Sequence, residues 1–202
     1  MIRLVVTGTD TGVGKTVLSA AIATAAGVAY WKPIQSGLAE GEDADTVRAL
    51  GVSQIQASAY RLTEPLSPHR AAELDGVSID PDRLAVPEGP IVIEGAGGVL
   101  VPITRQLLFA DLIASWSLPV VIAARTGLGT INHSLLTVEA LRSRGVPIVG
   151  IAFVGDAQED SEAIIAKFGR VRRLGRLPHL DPLDRASLGQ AFADNFNLGD
   201  FG

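Results

Sequence analysis

The chain has 202 residues, 47% of them hydrophobic, a formal charge of −5, a pI near 5.2 and no cysteine. That length and apolar content suit one medium-sized domain spanning 1–202. The acidic balance argues against a nucleic-acid binder, which would carry a basic surface. Without cysteine there is no disulfide framework, thiol nucleophile or thiolate metal site, which fits a reducing cytoplasm.

In chain order, Ile2 to Val6 predicts an apolar strand. Gly8-Thr9-Asp10-Thr11-Gly12-Val13-Gly14-Lys15-Thr16 follows directly, and an alanine-rich helix is expected over Val17–Ala26. This is the architecture of a phosphate-binding loop. Glycines let backbone N–H groups turn inward around phosphate oxygens. The helix start adds unpaired donors and a partial positive charge. Lys15 is suited to reach the β- and γ-phosphates, and the Thr16 hydroxyl to ligate Mg²⁺. The loop is a variant, because Thr9 stands where the usual pattern has its first glycine and Gly8 lies one residue earlier. An N-terminus that enters a strand and a nucleotide loop at once shows no secretory signal. The apolar stretch Val17–Trp31 falls short of the about 20 residues that span a membrane, so no membrane association is expected.

Further strands are expected at Val28–Tyr30, Pro90–Ile93, Pro119–Ala123, Pro147–Phe153 and Val171–Leu174. Helical patterns fall at Ala44–Leu50, Leu107–Ser115, Leu135–Arg144, Ser161–Phe168 and Asp184–Phe196, and Asp75–Glu88 reads as a surface helix with flanking loops. Near-uniformly apolar strands alternating with helices predict an α/β fold, a mostly parallel sheet covered by helices on both faces.

Ligands of such sheets bind at the carboxyl ends of the strands. There the sequence places the phosphate loop, Lys32-Pro33-Ile34-Gln35-Ser36-Gly37, Glu94-Gly95-Ala96-Gly97-Gly98, Thr126-Gly127-Leu128-Gly129-Thr130-Ile131-Asn132-His133, Gly155-Asp156 and Gly175-Arg176-Leu177-Pro178. Glu94, closing an apolar strand, is suited to complete a Mg²⁺ site with Thr16. Asp43 and Asp45 precede a helix, where acids also favour the helix dipole. Only Lys15, Lys32 and Lys167 are lysines, and the first two fall in these loops, where a compact ammonium is useful. Asn132 is a candidate helix cap, and His69 and His179 read as ordinary loop histidines.

Taken together, these residues resemble the dethiobiotin synthetase family. The resemblance rests on Thr7–Thr16, Lys32-Pro33-Ile34-Gln35-Ser36-Gly37, Ser67-Pro68-His69, Glu94-Gly95-Ala96-Gly97-Gly98 and Leu128-Gly129-Thr130-Ile131-Asn132-His133, in the family's order along the chain. It implies a phosphate-loop NTPase fold and an ATP-dependent cyclo-ligase. CO₂ is taken up on one amine of 7,8-diaminopelargonic acid, ATP phosphorylates the carbamate, and the second amine closes the ureido ring. Lys15 and Lys32 would face the carbamate and γ-phosphate, while Thr11 and Ser36 would bind the diamine or carbamate. Thr16, Asp43 and Glu94 would hold Mg²⁺, with Asp45 the alternative to Asp43. ATP would lie on Gly12, Val13, Gly14, Lys15, Thr16, Gly95, Ala96 and Gly97, with its base near Gly155, Asp156, Arg176, Leu177 and Pro178. The resemblance further implies a homodimer, with Leu128, Gly129 and Asn132 completing the substrate site across the interface.

One position departs from the family's pattern. Gly155 stands where an asparagine reads adenine, so CTP or GTP is expected to replace ATP in part. The runner-up is a partitioning-type ATPase switch, but that class carries an early loop lysine where this chain has Asp10. A third reading is a noncatalytic nucleotide-binding module, which would leave Lys32, Ser36 and Glu94 idle.

Overall fold

A strand with no polar face must be covered on both sides. Four long strands here have that character: β1 (Arg3–Gly8), β6 (Ile91–Gly98), β7 (Val120–Arg125) and β8 (Ile148–Val154). The computed structural model describes residues 1–202, apart from the side chain of Glu40. The remaining strands are β2 (Ala29–Trp31), β3 (Ile34–Ser36), β4 (Ile55–Gln56), β5 (Tyr60–Leu62) and β9 (Arg173–Leu177). Helices are α1 (Lys15–Ala26), α2 (Asp43–Ala49), α3 (Pro68–Leu74), α4 (Phe109–Trp116), α5 (Thr130–Arg142), α6 (Glu159–Gly169) and α7 (Arg185–Asn195).

Seven strands form one parallel sheet in the order β4-β2-β6-β1-β7-β8-β9. β1 lies between β6 and β7, so the chain extends the sheet first to one side of β1 and then to the other. Helices α1, α2 and α7 cover one face, where Leu18, Ile22, Val47, Leu188 and Phe192 meet Leu4, Val6 and Val121. Helices α3 to α6 cover the other, against Val5, Ile93, Ile122 and Phe153. Small residues at Ser19, Ala20, Ala21 and Ala23 bring α1 close to the sheet, and all four are buried. The expected doubly covered parallel sheet is therefore present.

Several expectations are corrected. The Asp75–Glu88 segment is not a helix; it holds only a 3-10 turn at Pro81–Leu84. Pro81 opens that turn, and Asp80 accepts a hydrogen bond from the Asp82 N–H as its cap. Helix α3 forms instead from Pro68, with proline at its first position, where no internal donor is lost. β6 runs on through Glu94 to Gly98, so the glutamate lies inside the strand, opposite Val6, rather than after it. Arg176 and Leu177 belong to β9, and only Pro178 of that group follows the strand. Helix α5 starts at Thr130 on a Gly129 cap, five residues earlier than its apolar pattern suggests, so Asn132 lies within the helix and is not a cap. A second, two-stranded parallel sheet pairs β3 with β5, Ser36 opposite Leu62.

Candidate active site

The phosphate loop joins β1 to α1 at the centre of the sheet. Thr9 N–H donates to the Ala123 carbonyl at 3.0 Å, which ties the loop to β7. Gly14 caps α1 with φ +89°, and a side chain there would come within about 2.7 Å of Val154. Glycine is required at this point by both backbone sign and space. Lys15 is buried and donates from Nζ to the Asp10 carbonyl at 2.8 Å. Burial pulls its ammonium below the ordinary value, the Lys32 charge adds to this, and Glu94 opposes it.

Beside the loop, four side chains converge from α1, α2, β6 and the connection between β2 and β3. Thr16 Oγ1 lies 2.7 Å from Asp43 Oδ1 and 2.9 Å from Glu94 Oε1. A hydroxyl has one proton and cannot donate fully to both. Lys32 bridges the same carboxylates, donating to Asp43 Oδ2 and, at 3.2 Å, to Glu94 Oε1. Burial works against the Lys32 ammonium, but the charges of Glu94 and Asp43 outweigh it and raise the pKa. Burial likewise opposes ionised Asp43, yet the Lys32 charge and hydrogen bonds from Lys32 and Thr16 hold its carboxyl below the ordinary value. Asp45 does not join this group: its side chain is 73% exposed and paired with Arg48 at 2.5 Å.

These groups line a cavity of about 720 Å³ that also takes in Thr11, Gly12, Gly14, Gln35, Ala96 and Gly97. Ser36 lines it as well, and among the described residues its buried hydroxyl has no partner. Gln35, which sequence reasoning passed over, accepts the Asp43 N–H at 3.2 Å and so holds the start of α2. Tyr30 was also missed. It is fully buried and donates to Glu94 Oε2 at 2.8 Å. Burial and the Glu94 charge push its phenol far above the ordinary value, so it stays protonated. Nothing separates it from an ordinary core aromatic in the sequence, because its partner is 64 residues away.

The donor set fits a hard divalent cation. Two carboxylates and a hydroxyl supply only oxygen, as Mg²⁺ prefers, and they already gather around one positive charge. In a wider groove of about 930 Å³ beside Trp116, Glu73 is taken by Arg105 at 2.7 and 2.8 Å and Asp111 by Arg144 at 2.6 Å.

The remaining expected residues lie elsewhere on the rim. Gly155 has φ +126°, its N–H donates to the Leu177 carbonyl at 2.9 Å, and its carbonyl accepts from Arg176 at 3.4 Å. A side chain on Gly155 would come within 2.7 Å of Thr126 Oγ1. The Arg176 guanidinium also pairs at 3.3 Å with Glu162, which is buried. Asp156 is exposed beside them. Leu128, Gly129 and Asn132 are exposed and do not line the 720 Å³ cavity.

An "AAA domain" family model matches residues 3–187. The chain is 63% identical to an ATP-dependent dethiobiotin synthetase BioD of Novosphingobium aromaticivorans, over all of both chains. It is 58% identical to one of Sphingopyxis alaskensis, again over all of both chains. A third, from Rhodopseudomonas palustris strain BisA53, is 59% identical over 98% of this chain and 96% of the relative. Among solved structures, the cell division ATPase MinD of Pyrococcus furiosus superposes with a TM-score of 0.56 at 14% identity, over 95% of this chain and 89% of that one. A ParA family ATPase of Chlorobium tepidum gives 0.53 at 11% identity, over 96% and 91%. At such identities the structures share the fold alone, whereas the full-length sequence relatives carry the family. The chain belongs to the ATP-dependent dethiobiotin synthetase family.

Proposed function

We propose that the protein makes dethiobiotin from 7,8-diaminopelargonic acid, CO₂ and ATP. One amine nitrogen bonds to CO₂ and loses a proton, giving a carbamate. A carbamate oxygen attacks the γ-phosphorus, and the bond to ADP breaks. The second amine then attacks the carbamoyl carbon, phosphate leaves, and the amine proton is lost as the ureido ring closes. Phosphoryl transfer of this kind needs positioning and charge neutralisation more than a nucleophilic side chain. The observation that carries the reading is the convergence of Lys15, Lys32, Thr16, Asp43 and Glu94 on one cavity that also presents the unpartnered Ser36 hydroxyl.

In this reading the backbone of Gly12, Val13 and Gly14 holds the phosphates, with Gly95, Ala96 and Gly97 along the opposite wall. Lys15 neutralises the γ-phosphate, and Lys32 the carbamate. Thr11 and Ser36 orient the diamine. Thr16, Asp43 and Glu94 hold Mg²⁺, which when bound shields phosphate charge. The base sits by Gly155, Asp156, Arg176, Leu177 and Pro178. The Arg176 guanidinium is engaged by Glu162 and Gly155, which leaves backbone groups to meet the base.

The working form is a homodimer in the cytoplasm, with Leu128, Gly129 and Asn132 of one copy completing the other's diamine site. Leu128 is 102% exposed, and Leu100 and Leu136 are about half exposed around a depression of about 280 Å³ that includes Thr11 and His133. Exposed leucines around a functional rim suit an interface between copies. No helix is long and apolar enough to cross a membrane among the described residues. The partitioning-switch alternative rests on fold likeness only. The test is ATP turnover with and without the diamine and bicarbonate: the synthetase reading requires both, whereas stimulation by DNA or lipid vesicles instead would favour the switch.

A further inference from the structure

The two oxygens of Glu94 have different surroundings. Oε1 meets the Thr16 hydroxyl at 2.9 Å and Lys32 Nζ at 3.2 Å, on the cavity side. Oε2 accepts the Tyr30 hydroxyl at 2.8 Å, and among the described residues no other side chain donates to it. Glu94 is 1% exposed, so a lost donor leaves a buried carboxylate oxygen short of a partner. Tyr30 is fixed in turn. It sits in β2 opposite Val92 of β6, and its ring is buried in the core beneath α1. A buried ring on a sheet strand has few rotamers, so the hydroxyl is held where Oε2 needs it.

We infer that Tyr30 is a positioning residue for the cation. Its hydroxyl pins Oε2 and so presents Oε1 alone to the metal, resting on the reading above in which Glu94 is a Mg²⁺ ligand. Without the hydroxyl, the carboxylate is free to turn about its last bond. Its buried oxygen then draws on Lys32 or Thr16, the groups that the site uses for other work. Partners behind a ligand typically change metal affinity by 10–100-fold.

Tyr30→Phe keeps the ring and removes only the donor. Mn²⁺ affinity, read by electron paramagnetic resonance with a nonhydrolysable ATP analogue present, should weaken about tenfold. The Mg²⁺ concentration for half-maximal product formation should rise by a similar factor, with KM for the diamine unchanged. Glu94→Gln should also weaken Mn²⁺ binding, and adding Tyr30→Phe to it should change affinity by no more than about twofold. A hydroxyl that serves only the stability of the fold would lower the melting temperature and leave both metal readouts in place. If Glu94→Gln binds Mn²⁺ as the wild type does, the ligand reading falls and this inference with it. If Glu94→Gln weakens binding while Tyr30→Phe leaves it unchanged or tightens it, the inference alone is overturned.

Discussion

Replacing Lys32 with methionine removes one charge at nearly constant volume. Lys32 lies 3.2 Å from Glu94, with side-chain exposures of 11% and 1%. At an effective dielectric constant of about 20, a unit pair at that distance is worth roughly 5 kcal/mol. Desolvation offsets part of this, and removing one partner of a buried pair destabilises by about 3–5 kcal/mol. Thr16 and Tyr30 still contact Glu94, so the lower end applies, about 3 kcal/mol. For a chain of this size, that lowers the melting temperature by about 6–12 °C. The change also leaves Asp43 and Glu94 without their shared cation, so Mg²⁺ should bind the folded mutant. At a hundredfold excess over its dissociation constant, a ligand restores about 2.7 kcal/mol. Calorimetry at neutral pH, in EDTA and then in Mg²⁺, measures both effects. The sign with pH follows from the two shifts. The raised Lys32 pKa gives stability fully present below its ordinary 10.5 and lost as pH rises through the folded value. The lowered Asp43 pKa gives stability present above its ordinary 3.8 and lost as pH falls through the folded value. The gap between wild type and Lys32→Met should therefore stay level between about pH 4 and 10, inside the ordinary 3.8 and 10.5, and shrink outside that window. A mutant that melts with the wild type, or gains no more from Mg²⁺ than the wild type does, would show that Lys32 is not the cation that holds these two carboxylates together.

Lys15→Ala should fold and lose roughly a hundredfold in turnover, about 3 kcal/mol of charge stabilisation, measured as ADP release with saturating substrates. Because burial lowers the Lys15 pKa, affinity for a nonhydrolysable triphosphate should fall with rising pH below 10.5, and Lys15→Arg should flatten that limb. Asp43→Asn should raise the Mg²⁺ requirement, while Asp45→Asn should be mild because its carboxylate is exposed and tied to Arg48; equal damage would count against the site. CTP or GTP should support turnover within roughly tenfold of ATP in kcat/KM, since Gly155 offers no side-chain amide and an unmatched polar group costs only about 1–3 kcal/mol. This comparison belongs in the wild type, because Gly155→Asn would place a side chain at φ +126° against Thr126.

Much of this was legible in the chain because long apolar strands and a loop-to-helix glycine pattern are local signals. β1, β7 and β8 carry near-continuous buried runs, and their bounds shift by only a residue or two. The short pair β3 and β5 was not visible, since three-residue strands owe their form to a partner 26 residues away. Helix α5 begins at Thr130, whose hydroxyl donates to the Arg125 carbonyl, a tertiary tie that apolar periodicity does not register. Within the site, Lys15, Lys32 and Glu94 stood out by type and place. The family resemblance already ranks Asp43 above Asp45, and the physical difference between them is that α2 points the first at Thr16 and leaves the second paired with Arg48. Tyr30 was hidden because its one polar atom works inside an otherwise apolar core.

The most direct test is to incubate the protein with ATP, Mg²⁺, 7,8-diaminopelargonic acid and ¹³C-bicarbonate and to follow product mass and phosphate together. Dethiobiotin labelled at its ureido carbon should form in equal number with ADP and phosphate, and none should form when any one substrate is withheld. Phosphate release that proceeds without the diamine, or without labelled ring product, would contradict the synthetase reading.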